Sequence, residues 1–163
     1  MNWRFDINVS FRTAAESDRD FLSTVYASTR AEEMARVDWD DRQKAAFLEM
    51  QFSAQHRYYQ ENYTDTDFLI VLLESRPIGR FYIARWPEEI RIVDLALLPE
   101  YRNRGIGTRL LTSVLEEAAA AGKPVRIHVE GFNPALSLYR RLGFVQIGEH
   151  GVYLLMERSA AAG

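Results

Sequence analysis

The sequence predicts a mixed α/β fold with helices packed on a central, mostly antiparallel sheet. Three observations carry that prediction. Apolar runs joined by very short turns follow one another from Phe68 to Leu98, as antiparallel strands do. One of these runs, Leu95-Ala96-Leu97-Leu98, breaks at Pro99 into a basic, glycine-bearing loop. The loop opens a helical pattern in which Ile106, Leu110, Val114 and Ala118 recur at four-residue spacing, flanked by Leu111 and Leu115.

Taken in order, the chain first alternates apolar Ile7, Val9 and Phe11 with polar Asn8, Ser10 and Arg12, which predicts a half-buried strand from Phe5 to Thr13. Ser17 or Asp18 can cap a helix whose apolar face is Phe21, Leu22, Val25 and Tyr26, running to about Glu33. After a break over Met34 to Trp39, Asp38 or Asp40 can cap a second helix that extends to about Tyr63. Strands follow at Phe68 to Leu73, Ile78 to Trp86 (with Gly79 a candidate bulge) and Ile90 to Leu98. Gly122-Lys123-Pro124 stops the long helix, and Val125 to Glu130 is the next strand. Asn133 and Pro134 open a short helix that Leu142-Gly143 ends. Phe144 to Ile147 and Gly151 to Glu157 close the chain as a strand pair, ahead of a frayed tail at 159–163. The predicted order is β-α-α-β-β-β-α-β-α-β-β in one domain over 1–163.

Composition narrows the function. A 163-residue chain with 47% hydrophobic and 26% charged residues can bury the core of one globular domain. The net charge of -3 argues against a general nucleic-acid binder, which needs a basic field. With no cysteine there is no disulfide, thiolate metal site or cysteine nucleophile, and the three histidines lack metal-ligand spacing, so no metal is expected. No apolar run is long enough to span a membrane, and Met1 to Ser10 carries charges where a signal peptide is apolar. The expectation is a cytoplasmic protein without a membrane partner.

The loop between the 90–98 strand and the long helix holds the chemistry. A helix N-terminus presents N–H groups without intrahelical partners at the positive end of the helix dipole. Gly105 and Gly107 let an anion approach that backbone, and Arg102 and Arg104 add charge beside it. A phosphate or diphosphate cradle follows, built from Arg102, Asn103, Arg104, Gly105, Ile106, Gly107 and Thr108. Two familiar nucleotide motifs do not fit: Thr108 follows Gly107 where a P-loop needs Lys, and Leu110 stands where the dinucleotide fingerprint needs its third glycine.

Arg102-x-x-Gly105-x-Gly107 resembles the acetyl-CoA-binding motif of the GNAT superfamily of N-acetyltransferases, Arg/Gln-x-x-Gly-x-Gly/Ala. A second family signature lies downstream in the stretch Asn133-Pro134-Ala135-Leu136-Ser137-Leu138-Tyr139 and on to Gly143-Phe144. The resemblance covers Ile90 to the C-terminus. It implies a GNAT-like acyl-CoA N-acyltransferase fold, in which the strands on either side of the cofactor helix run parallel but splay apart. It further implies acetyl-CoA as co-substrate and direct transfer to a primary amine in a ternary complex. Leu97 is then the positional match for the backbone N–H that polarises the thioester carbonyl, and Asn133 for a contact to the pantetheine arm. Tyr139 matches the tyrosine that protonates the leaving thiolate.

The base for the amine is open. His128 has opposite parity to Ile127 and Val129, titrates near neutrality and lies where some family members carry a carboxylate. Glu130 and Asp94 are its rivals, and Asp94 demands a partner because it interrupts an apolar strand. The acceptor, a small-molecule or peptide amine, is expected between the two N-terminal helices and the Phe81 to Trp86 region. Tyr26, Arg30 and Tyr58 are its candidate contacts, and a homodimer is compatible with the chain. Two other readings use the same residues: a non-catalytic acyl-CoA-binding regulator on the same fold, and a nucleic-acid module built on Arg102, Arg104 and Arg109.

Overall fold

The computed structural model describes residues 8–160. A seven-stranded sheet in the order β1-β2-β3-β4-β5-β7-β6 forms its centre. The strands are β1 (Val9–Thr13), β2 (Thr66–Leu73), β3 (Arg76–Arg85), β4 (Ile90–Leu97), β5 (Val125–Glu130), β6 (Val145–His150) and β7 (Tyr153–Arg158). Every neighbouring pair is antiparallel except β4 and β5, which are parallel. The expected first strand begins at Val9 among the described residues; Phe5 to Ile7, and 161–163 of the expected tail, lie outside them.

Five α-helices flank the sheet: α1 (Arg19–Thr29), α2 (Ala31–Ala35), α3 (Asp41–Asn62), α4 (Ile106–Ala121) and α5 (Leu136–Arg141). The order read from the sequence holds with one addition. The first helix does not run on to Glu33: at Arg30 (φ -107°, ψ 5°) the backbone leaves helical geometry, and the short α2 starts anew. Asp18 precedes α1 without capping it. Its carboxylate accepts from Ala15 N–H (2.7 Å) and pairs with Arg12, so it anchors the preceding turn to β1. Asp40 does cap α3, in a reciprocal box with Gln43 at 2.8 and 2.9 Å. Asn133 and Pro134 form a turn two residues ahead of α5, with Asn133 Oδ1 accepting from Ala135 N–H at 2.9 Å.

Two apolar layers sandwich the sheet. On one face α4 buries Ile106, Leu110, Leu111, Val114 and Ala118 against Ile83, Ile90, Ile92, Ile127 and Met156. On the other, Leu22 and Tyr26 of α1 and Phe52 of α3 meet Ile70 and Tyr82. Two irregularities tune the register. Ile78 is the unmatched residue opposite the Val71–Leu72 step, so the bulge sits beside Gly79 rather than on it. Gly79 serves a different end: a Cβ there would lie 2.3 Å from the carbonyl oxygen of Ala96, so only glycine lets β4 pass this close. In β4, Val93 is the extra residue between the Tyr82–Asp94 and Ile83–Ile92 pairs. That bulge keeps Ile92 and Leu95 in the α4 layer while delivering Asp94 to the α3 side.

Candidate active site

β4 and β5 share only three pairs: Ile90–Val125, Arg91–Arg126 and Ile92–Ile127. Beyond Ile92 and Ile127 the two strands continue to Leu97 and Glu130 without pairing, which opens a cleft between their C-terminal ends. The inner edge of β4 faces this cleft. Leu98 N–H bonds Ile78 O on the β3 side (2.8 Å), so the alternation of a strand turns the Leu97 N–H the other way, into the cleft. The Leu97 side chain is buried in the core.

The loop after β4 ends in left-handed Asn103 (φ 60°) and Gly105 (φ 81°), and the first helical acceptor used is Gly105 O, by Arg109 N–H at 3.0 Å. The N–H groups of Ile106, Gly107 and Thr108 therefore have no partner within α4, and no side chain caps them. No atom lies within 4 Å of where a Cβ would stand on Gly105 or Gly107. A diphosphate fits this open backbone, whose donors and dipole both favour an anion.

The arginines of the loop are placed differently from the sequence expectation. Arg102 turns back: its Nε donates to Leu97 O (2.9 Å) and its Nη2 to Ser28 Oγ of α1 (3.2 Å). It fixes the end of β4 rather than standing over the helix mouth. Arg104 lies on the Tyr101 ring, 5.4 Å from the centroid, and borders a cavity of about 390 Å³ on the β2–β3 side of the loop with Arg76, Glu74 and Glu100. With two cations matched by two carboxylates, that cavity is not a basic surface.

Tyr139 on α5 is buried against Phe144 (ring centroids 5.6 Å apart). Burial pushes its phenol up, and the negative charges of Asp94 and Glu130 add to the shift, so it stays protonated at neutral pH. The carboxylates that act on Tyr139 are thus Asp94 and Glu130. His128 is not brought to it. Its Nδ1 sits 3.5 Å from Arg91 Nη1, and its pKa is lowered by burial, then by Arg91 and His150. Parity did turn His128 out of the α4 layer as expected, but toward Arg91 at the paired end of the strands. Asp94 has the partner it demanded: Arg80 Nη2 at 2.6 Å, with the Tyr59 hydroxyl donating at 3.2 Å. Arg80 is buried and also donates to Gln55 Oε1 at 2.9 Å.

At the α1–α2 corner Arg30 donates to the Tyr26 hydroxyl and pairs with Glu33. Facing them is Tyr153 of β7, directly opposite Glu130 in register. Burial raises the Tyr153 pKa, with further contributions from Glu130 and Tyr26. Tyr153 was missed in the sequence because nothing local marks it; only the register of β5 and β7 brings it here. Tyr58 is not part of this group. It is exposed, in an aromatic ladder with Tyr59 and Tyr63 that continues to Trp86.

The model of the acetyltransferase (GNAT) family matches residues 31–144, which include the loop, α4, β5, α5 and Tyr139. The chain belongs to the GNAT acetyltransferase family. Solved GNAT structures share its fold at low identity. The PaiA N-acetyltransferase of Thermoplasma acidophilum, solved in complex with coenzyme A, is 21% identical with a TM-score of 0.69, covering 93% of this chain and 99% of that one. The ribosomal-protein-S18-alanine N-acetyltransferase of Escherichia coli is 13% identical with a TM-score of 0.62, each chain covered to 94%. An uncharacterised protein of Mycobacterium leprae is 36% identical over 62 residues, 38% of this chain; the match spans 17% of that longer relative. Among the described residues no group of side chains in this GNAT chain could hold a metal ion, and no helix is long and apolar enough to cross a membrane.

Proposed function

We propose that this chain transfers an acetyl group from acetyl-CoA to a primary amine, directly, within a ternary complex. One observation carries the reading: a protonated, buried Tyr139 borders the same cleft as the unpaired amides of β4 and of the α4 N-terminus. Acetyl-CoA supplies the activated acyl group as a thioester. The N–H groups of Gly105 to Thr108 hold its diphosphate, and Arg102 keeps the end of β4 in place by bonding Leu97 O. The Leu97 N–H donates to the thioester oxygen as negative charge develops there. Asn133, already committed to Ala135 N–H, orders the turn that borders the pantetheine path.

Tyr139 gives its proton to the sulfur as the C–S bond breaks, and recovers one from the acylated nitrogen. A raised phenol pKa does not defeat this step. The burial and the carboxylates that raise the phenol also raise the pKa of a thiol formed beside it. His128 takes no step, since Arg91 rather than the reacting centre is its neighbour.

Calorimetry with coenzyme A and turnover against an amine panel test the reading together. Tyr139→Phe should bind coenzyme A within about threefold of wild type while kcat falls about a hundredfold. No heat with coenzyme A, or unchanged kcat in the variant, would overturn it.

A further inference from the structure

The carboxylates lining the cleft are matched, with one exception. Asp94 is neutralised by Arg80 and Glu33 by Arg30. Farther back on the same face of β5, Arg126 is taken up by Glu89 and Glu157, while burial and Arg91 favour neutral His128. Glu130 is half-buried and has no ion-pair partner among the described residues. It stands three residues beyond the last β4–β5 pair, at the lip of the cleft. Its register partner Tyr153 projects from the same face of the sheet, and the charge of Glu130 acts on both Tyr153 and Tyr139.

Resting on the acetyl-transfer reading above, we infer that Glu130 receives the acceptor as a single ammonium ion, which selects amines that carry one positive charge and no acid. One carboxylate offers one charge-assisted contact, and tyrosine faces add attraction for a cation with an apolar body. A polyamine brings further charges for which the cleft has no second unmatched anion. An amino acid brings a carboxylate that Glu130 repels. In the reaction the ammonium yields one proton to Glu130, and its freed lone pair forms the C–N bond as the C–S bond breaks. The second nitrogen proton passes to the Tyr139 oxygen while Tyr139 protonates the sulfur. The products are the amide, the free thiol and one proton, which leaves through Glu130 to solvent.

The experiment compares phenethylamine, spermidine and phenylalanine as acceptors at saturating acetyl-CoA, in wild type, Glu130→Gln and Glu130→Asp. Coenzyme A affinity is measured by calorimetry on each protein, and folding by thermal unfolding. Phenethylamine should have the highest kcat/KM in wild type. Glu130→Gln should raise its KM about tenfold with coenzyme A affinity unchanged, and Glu130→Asp should recover part of that loss. Preference for spermidine or phenylalanine, absence of phenethylamine turnover, or an unchanged KM in a folded Glu130→Gln would overturn the inference. Failure of wild type to bind coenzyme A would instead overturn the acetyl-transfer reading beneath it.

Discussion

Arg80 Nη2 lies 2.6 Å from Asp94 Oδ2 beneath the floor of the cleft, a buried cation held by one carboxylate. Arg80 Nε has no hydrogen-bond partner among the described residues, so Asp94 carries most of the compensation. Asp94→Ala should therefore cost about 3–5 kcal/mol, because it strands a guanidinium that water cannot reach. Replacing both residues, as Arg80→Met with Asp94→Leu, should return stability to within about 1 kcal/mol of wild type. Urea denaturation of the three proteins checks both statements.

The two glycines at the mouth of α4 should behave oppositely. Gly105 holds a left-handed backbone, and Gly105→Ala should destabilise by about 1–2 kcal/mol through strain alone. Gly107 has ordinary helical geometry and open space, so Gly107→Ala should leave stability unchanged or raise it by up to about 0.5 kcal/mol. Its new methyl would still stand where an anion approaches. Coenzyme A affinity should drop at least about tenfold in Gly107→Ala, read by calorimetry beside a melting curve.

Gly79→Ala tests the close passage of β4. The added carbon would meet Ala96 O and Leu97 Cδ2 at 2.3 and 2.8 Å, and backbone cannot yield as a side-chain tip does. A loss of about 1–3 kcal/mol is expected, with a raised KM for acetyl-CoA because Leu97 shifts with it. Thermal unfolding and steady-state kinetics would report the two effects separately.

Acid should loosen the join between β1 and α1. The Arg12 guanidinium, and then the Ala15 N–H, hold the Asp18 carboxyl below its usual range despite burial. A carboxylate depressed in the folded state contributes stability that is complete above its unfolded pKa of about 3.9 and is lost as pH falls through the lower folded value. Asp18→Asn lacks this contribution at every pH. The difference in Tm between the two proteins should be constant from about pH 7 to 5 and shrink below about pH 4.

Most of the element order was legible because it rests on local signals. The four-residue spacing of α4, an aspartate cap for α3 (Asp38 or Asp40, of which the structure uses Asp40) and the stop at Gly122 each act within one or two turns of chain. The break at Arg30 was not legible: Phe21 to Glu33 has no glycine or proline to announce it. Site residues divided along the same line. Gly105, Gly107 and Tyr139 belong to contiguous motifs, whereas the pairing of Tyr153 with Glu130 and the nearness of His128 to Arg91 depend on strand register and on where β4 and β5 part. The directions of the arginines were not legible, because a residue's place in the sequence says little about where its side chain turns. Arg102 found a carbonyl behind it, and Arg104 an aromatic ring beside it.

An open sheet normally has two borders with unsatisfied main-chain groups, each an invitation to a neighbouring molecule. By separating after three pairs, β4 and β5 create two more, turned inward and flanked by α1, α4 and α5. Donors placed there face a gap inside the sheet rather than its outer rim, where another chain would add a strand. The parting of two strands thus exposes main-chain groups within the sheet without lengthening its outer borders.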